Sequence, residues 1–277
     1  MRLTARSPLL AAAACFLAFV AVLACAYAIA PIGRLDAIAL HGLTALEGLF
    51  PYPVGQVIAH SADPQPVMLM LAALFAWGWA LGRRREALGA VALVAGANLT
   101  GMILKAALAH PRVYPILGSD QVGADAYPSG HATSAMSIAL AAVLVAPARL
   151  RVAVACGAAA YVIAVLTSLL AFGLHFPSDL LGGLLVASGF FFLTVAIMRA
   201  VPAGRAGVAA QRVRLALSPR LGGAAVAVLA AASLIALSQA DELLAFARLH
   251  TVATVTALAV MAVSAGLVAS AAMISDP

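Results

Sequence analysis

The chain has 277 residues, of which 65% are hydrophobic and only 9% are charged, and its mean hydropathy is +1.08. A soluble domain carries about a quarter charged residues, so an ordinary aqueous globule is excluded. The net charge of +6 does not point to nucleic acid: all but one of the 16 basic residues are Arg, and most sit in short loops between apolar runs, with no aromatic interleaving.

Apolar runs of about 20 residues recur along the chain, as spans of a bilayer require. The backbone inside lipid must bond to itself, and runs of Ala, Leu and Val without alternation select helices over a barrel. The predicted fold class is therefore all-α, a polytopic transmembrane helix bundle. The first span runs from about Leu9 to Ala30. Ala24-Cys25-Ala26 resembles a signal-peptide cleavage site, but secretory apolar cores run only about 7–15 residues, and a retained helix is expected. Residues 31–65 contain Pro31, Pro51, Pro53 and Pro64 and read as a loop. Within it Leu35, Ile38, Leu46 and Leu49 suggest one face of a short interfacial helix.

Further spans are predicted at about 66–81, 87–108, 131–146, 152–172 and 178–198. Arg83-Arg84-Arg85 ends the second, and Pro147 ends the fourth. Residues 109–130 are rich in Pro and Gly and form a loop. A basic linker, 200–220, precedes two more spans at about 221–240 and 249–274. The division is a six-helix core, 1–199, then the cytoplasmic linker, then two additional membrane helices in 221–277. Cys15, Cys25 and Cys156 all lie in apolar runs, with neither a disulfide framework nor metal-ligand spacing.

Eight spans with a cytoplasmic N-terminus put Arg2, Arg6, Arg83, Arg84, Arg85, Arg149, Arg151, Arg199, Arg205, Arg212, Arg214 and Arg220 inside. Only Arg34, Arg112 and Arg248 fall outside. This asymmetry predicts a multi-pass cell-membrane protein with both termini cytoplasmic. It also gathers three polar segments on the extracytoplasmic side: Lys105 to Arg112, Pro128-Ser129-Gly130-His131, and His175 to Asp179.

Charged groups at membrane depth are costly and mark functional sites. Lys105 and Arg112 are two helical turns apart and would share a face on an unbroken helix, although Pro111 bends or ends it. Ser129 can cap a helix and Gly130 admits close approach to backbone N–H groups, an arrangement suited to phosphate. Asp179 can hold one imidazole nitrogen of His175 and free the other for attack. Each segment alone is an ordinary snorkelling Lys, helix cap or loop His. Together, two cations, a helix N-terminus, a nucleophile and a general acid at His131 suffice for metal-independent phosphoryl transfer.

The pattern Lys-x6-Arg, Pro-Ser-Gly-His and His-x3-Asp resembles the type 2 phosphatidic acid phosphatase superfamily of membrane lipid phosphatases, over roughly residues 66–199. The resemblance implies a six-helix core. It further implies that Lys105, Arg112, Ser129 and Gly130 bind phosphate, that His131 protonates the leaving oxygen, that His175 attacks phosphorus and that Asp179 orients His175. No metal and no cofactor are implied. The implied partners are a lipid phosphate or diphosphate substrate and membrane lipids, not nucleic acid. Two departures stand out: Val113 follows Arg112 where the family has Pro, and Leu169 occupies the third motif's Arg position. Leu169 leaves room for a catalytically weakened lipid-phosphate binder or transporter, or for a lipid phosphotransferase. It also leaves room for Arg34 or Arg248 to supply the missing cation. A Leu169→Arg change is expected to preserve or raise activity. The two C-terminal spans are left with homo-oligomerisation, a lipid entrance or docking of a partner enzyme. His41, His60, His110 and His250 have no spacing partners and read as loop or interfacial residues.

Overall fold

A computed structural model describes residues 6–49, 51–201 and 240–274. The described residues form ten α-helices, two short 3₁₀ turns and no strand. They are α1 (Arg6–Ala28), α2 (Ala30–Thr44), α3 (Tyr52–His60), α4 (Pro64–Ala80), α5 (Arg84–Ala107), α6 (Gly130–Val145), α7 (Ala148–Ala171), α8 (Pro177–Ala200), α9 (Ala240–Leu249) and α10 (Thr251–Ile274). The chain is a multi-pass membrane protein. Five helices, α1, α5, α7, α8 and α10, are long and apolar enough to cross a bilayer. At 1.5 Å per residue, a 24-residue helix such as α8 is about 36 Å long, enough for a hydrocarbon core of about 30 Å.

Two of the expected spans are shorter. α4 has 17 residues and α6 has 16, so α6 reaches only about 24 Å. α6 tolerates this because it is the hub of the bundle, enclosed by α4, α5, α7, α8 and α10. Every residue of α6 from Ala132 to Ala141 is buried, whichever face it occupies, the pattern of a helix enclosed all round. Protein, not lipid, surrounds it. The expected linker, nearly all of it, and the expected span at 221–240 fall outside the described residues.

Sequence reading erred most between residues 31 and 65. The prolines there start helices instead of excluding them: Pro31, Pro53 and Pro64 each sit in the first turn of α2, α3 or α4. A first-turn N–H has no intrahelical partner, so Pro costs nothing at that position. The buried face of α2 is also not the expected one. Leu35 and Ile38 stay exposed, whereas Gly33, Asp36, Ala37, Leu40 and Leu43 turn inward. α10 packs along α2 and α7, and a Cβ on Gly42 of α2 would lie only 2.8 Å from the Ala253 methyl. The last described helix thus braces the helix that carries Asp36.

α7 ends in a Schellman motif. Gly173 adopts φ +65°, its N–H donates to Leu170 O, and Leu174 N–H donates to Leu169 O. Only glycine takes that left-handed conformation without strain. The reversal lets α8 begin four residues later, with Pro177 in its first turn.

Candidate active site

All seven residues singled out from the sequence lie at one end of the bundle: the C-terminal end of α5, the 108–129 loop, the first turn of α6, and the turn between α7 and α8 with the first turn of α8. Ser129 caps α6, its Oγ accepting from Ala132 N–H at 3.3 Å. Its own N–H donates to the carbonyl of Asp179 at 3.0 Å, which joins the start of α6 to the start of α8. Gly183 makes that closeness possible. A Cβ there would fall 2.6 Å from Ser129 O and 2.9 Å from Thr133 N. Gly130 is open, with nothing within 4 Å of an added Cβ, so the α6 N-terminus is accessible to a ligand.

Asp179 is the third residue of α8 and has no exposure. Its Oδ2 accepts from Phe176 N–H at 2.9 Å, reaching back over the helix start as first-turn carboxylates do. Oδ2 is also 3.7 Å from His175 Nδ1, ion-pair range but longer than a hydrogen bond. His175 Nδ1 is buried without a hydrogen-bond partner among the described residues. The His175 and His131 rings meet edge-on, their centroids 6.3 Å apart and their planes inclined by 64°.

Arg112 departs from its expected setting. α5 ends at Ala107, so Arg112 lies on the loop and shares no helix face with Lys105. Its side chain is almost fully buried. Nη1 donates to Asp36 Oδ2 and Ser178 Oγ, both at 3.0 Å, and Nη2 donates to Asp179 Oδ1. The guanidinium is sandwiched between Phe176 at 4.0 Å and Tyr27 at 4.6 Å, the planar stacking that suits Arg and not Lys. Asp36 further accepts from Ser178 N–H at 3.1 Å and from the Ser178 hydroxyl. Burial pushes the Asp36 carboxyl above the usual carboxylate range, against the opposing pull of Ser178 and Arg112.

Lys105 is partly exposed, its Nζ 3.5 Å from Asp125 Oδ2. With Gly130, His131 and Asp63 it forms the polar mouth of a cavity of about 420 Å³ between α4, α5 and α6. The walls below are apolar, with Val67, Leu71, Val91, Val94 and Met102, interrupted by Asn98 and Ser134. Ser134 Oγ donates to Asn98 Oδ1 at 2.7 Å, and Asn98 Nδ2 donates to Val94 O and Ser137 Oγ, which satisfies the amide inside the bundle.

Two carboxylates of this end escaped sequence reading. Asp36 joins Arg112, and Asp63 accepts from His131 Nε2 and His60 Nδ1, each at 2.9 Å. Burial acts to raise the Asp63 carboxyl, but the hydrogen bonds from His60 and His131 outweigh it and hold the group below the usual carboxylate range. His60 therefore has partners that spacing did not show. Scarcity was the available signal, since the chain holds only 10 acidic residues and three of them fall within 31–65. Leu169, at the position where a cation was missing, is fully buried in the apolar core.

The chain matches the model of the PAP2 superfamily over residues 86–202. Its fold is similar to the crystal structure of the first transmembrane PAP2-type phosphatidylglycerolphosphate phosphatase from Bacillus subtilis. The TM-score is 0.55 at 19% identity, covering 70% of this chain and 98% of that one. No curated protein matches the chain.

Proposed function

We propose that this protein is a membrane lipid phosphatase that cleaves a lipid phosphate or diphosphate through a phosphohistidine, without metal, at the extracytoplasmic face. The observation that carries the proposal is the juxtaposition of His131 and His175 at 6.3 Å, with His131 on the polar mouth of a cavity whose interior is apolar. A headgroup phosphate suits the mouth and an acyl or prenyl chain suits the walls. Polyprenyl diphosphate, phosphatidate and phosphatidylglycerol phosphate, the substrates that the family resemblance implies, are the ones to test.

In the first step Nε2 of His175 attacks phosphorus. The N–P bond forms, the P–O bond to the lipid breaks, and His131 gives its proton to the departing oxygen. Water then attacks phosphorus, passes a proton to His131 and releases His175. Asp179, anchored by Phe176 N–H and Arg112, sets its carboxylate beside Nδ1 and orients the ring for attack through Nε2. Lys105 and the open first turn of α6 at Gly130 receive the phosphate oxygens, and Ser129, buried with its N–H on Asp179 O, must turn its hydroxyl toward the ligand to join them. For Arg112 to join them, one of its bonds to Asp36, Ser178 or Asp179 must be exchanged.

Leu169 favours a second reading. An apolar, enclosed residue replaces a phosphate-binding cation, which suits a lipid-phosphate binder as well as an enzyme. Phosphate release from a panel of lipid phosphates, measured with EDTA present, separates the two. Wild type is expected to release phosphate, and His175→Ala and His131→Ala to release none above background. Equal release by all three proteins would remove the enzyme. Labelled lipid substrate distinguishes hydrolysis from transfer to a second lipid.

A further inference from the structure

Asp63 stands just before α4, outside the region that matches the family, and gathers two imidazoles from different directions. His131 Nε2 meets Oδ1 and His60 Nδ1 meets Oδ2, both at 2.9 Å. His60 Nε2 lies 3.0 Å from Gln56 Oε1. The His131 and Asp63 side chains are about one-third exposed and His60 is 65% exposed, so the row runs outward from the cavity mouth to the surface.

We propose that Asp63 is the positioning residue for His131, fixing its ring and stabilising its protonated form, with His60 securing Asp63 from the other side. The inference rests on the phosphatase reading above. A general acid must keep its proton until the leaving oxygen needs it, and the surroundings of His131 work against that. Lys105 of α5 lines the same cavity and is only partly offset by Asp125 of the following loop. His175, in the turn before α8, adds a second imidazole with its ring centroid 6.3 Å from that of His131. Asp63 is the carboxylate bonded to the ring among these groups. It fixes the tautomer as well, since a carboxylate on one ring nitrogen leaves the other to exchange protons. With Nε2 bonded to Asp63, the proton passed to the lipid oxygen is the one on Nδ1, and the attacking water restores it.

The test compares wild type with Asp63→Asn, Asp63→Glu and His60→Asn in lipid nanodiscs. Steady-state rates are measured from pH 5 to 9, and His131 is titrated by NMR in protein carrying ¹³C-labelled histidine. Asparagine keeps the volume and removes the charge. Asp63→Asn is expected to lower kcat by about tenfold or more with little change in KM. The basic limb of its rate profile, where protonated acid is lost, should move to lower pH by about one unit, as should the His131 titration midpoint. Asp63→Glu restores part of both, and His60→Asn gives a smaller shift in the same direction. An active wild type with an unchanged rate and profile in Asp63→Asn would overturn the inference. Faster turnover would overturn it too, because the contact would then be an obstruction. If wild type releases no phosphate, the phosphatase reading fails separately. The His131 titration still decides whether Asp63 holds the ring: an unmoved midpoint in Asp63→Asn would refute it.

Discussion

Replacing Asp36 by alanine removes one of two carboxylates from a guanidinium that has almost no access to water. The structure gives Asp36 three donors: Arg112 Nη1 at 3.0 Å, Ser178 N–H at 3.1 Å and the Ser178 hydroxyl. Breaking a buried ion pair from one side costs about 3–5 kcal/mol. Arg112 keeps Asp179, which places Asp36→Ala near the lower end, at about 3 kcal/mol, or roughly a hundredfold in the folded-to-unfolded ratio. Asp36→Asn preserves an acceptor for Ser178 N–H and should lose about half as much. The assay is unfolding in mixed detergent micelles followed by the fluorescence of Trp77 and Trp79 on α4, with exposed Arg34→Ala as the control. Asp36→Ala within about 0.5 kcal/mol of that control would refute the idea that Asp36 is needed to keep Arg112 buried.

Other substitutions probe the geometry of the same end. Gly183→Ala puts a methyl against Ser129 O and Thr133 N, backbone atoms that cannot turn aside. Phosphate release should fall more than tenfold while the protein still inserts, and wild-type turnover would contradict the close approach of α6 and α8. Leu169→Arg, attractive from motif comparison alone, is expected to lower the thermal midpoint in detergent, because Leu169 is enclosed on all sides by the core and a buried unpaired cation is costly. An unchanged midpoint with raised activity would show that the new side chain reaches the phosphate. Asn98→Leu breaks the bonds to Ser134 and Ser137 within the cavity wall and should lower stability by about 0.6–2 kcal/mol, measured by the same unfolding assay.

What the sequence disclosed and what it hid divide along physical lines. The helices from α4 to α8 were legible because lipid and a crowded core impose long apolar runs, and the prolines and glycines between them mark where those runs stop. The grouping of Lys105, His131, His175 and Asp179 at one end was legible because antiparallel helices joined by short loops return those segments to the same side. α2 and α3 were hidden because proline in a helix's first turn looks, in one dimension, like proline in a loop. Asp36 and Asp63 were hidden for a different reason. Each acts on a residue far along the chain, Arg112 or His131, and nothing local to either aspartate distinguishes a partner from a solvated surface charge. The setting of Arg112 was missed with Asp36, since its exposure depends on a carboxylate 76 positions away.

The order of Arg112's partners along the chain has a consequence for synthesis. Asp36 leaves the ribosome well before Arg112, while Ser178 and Asp179 follow much later. The arginine thus has one counter-charge made before it, on α2, and receives the second when α8 is made, and the finished bundle encloses all three groups.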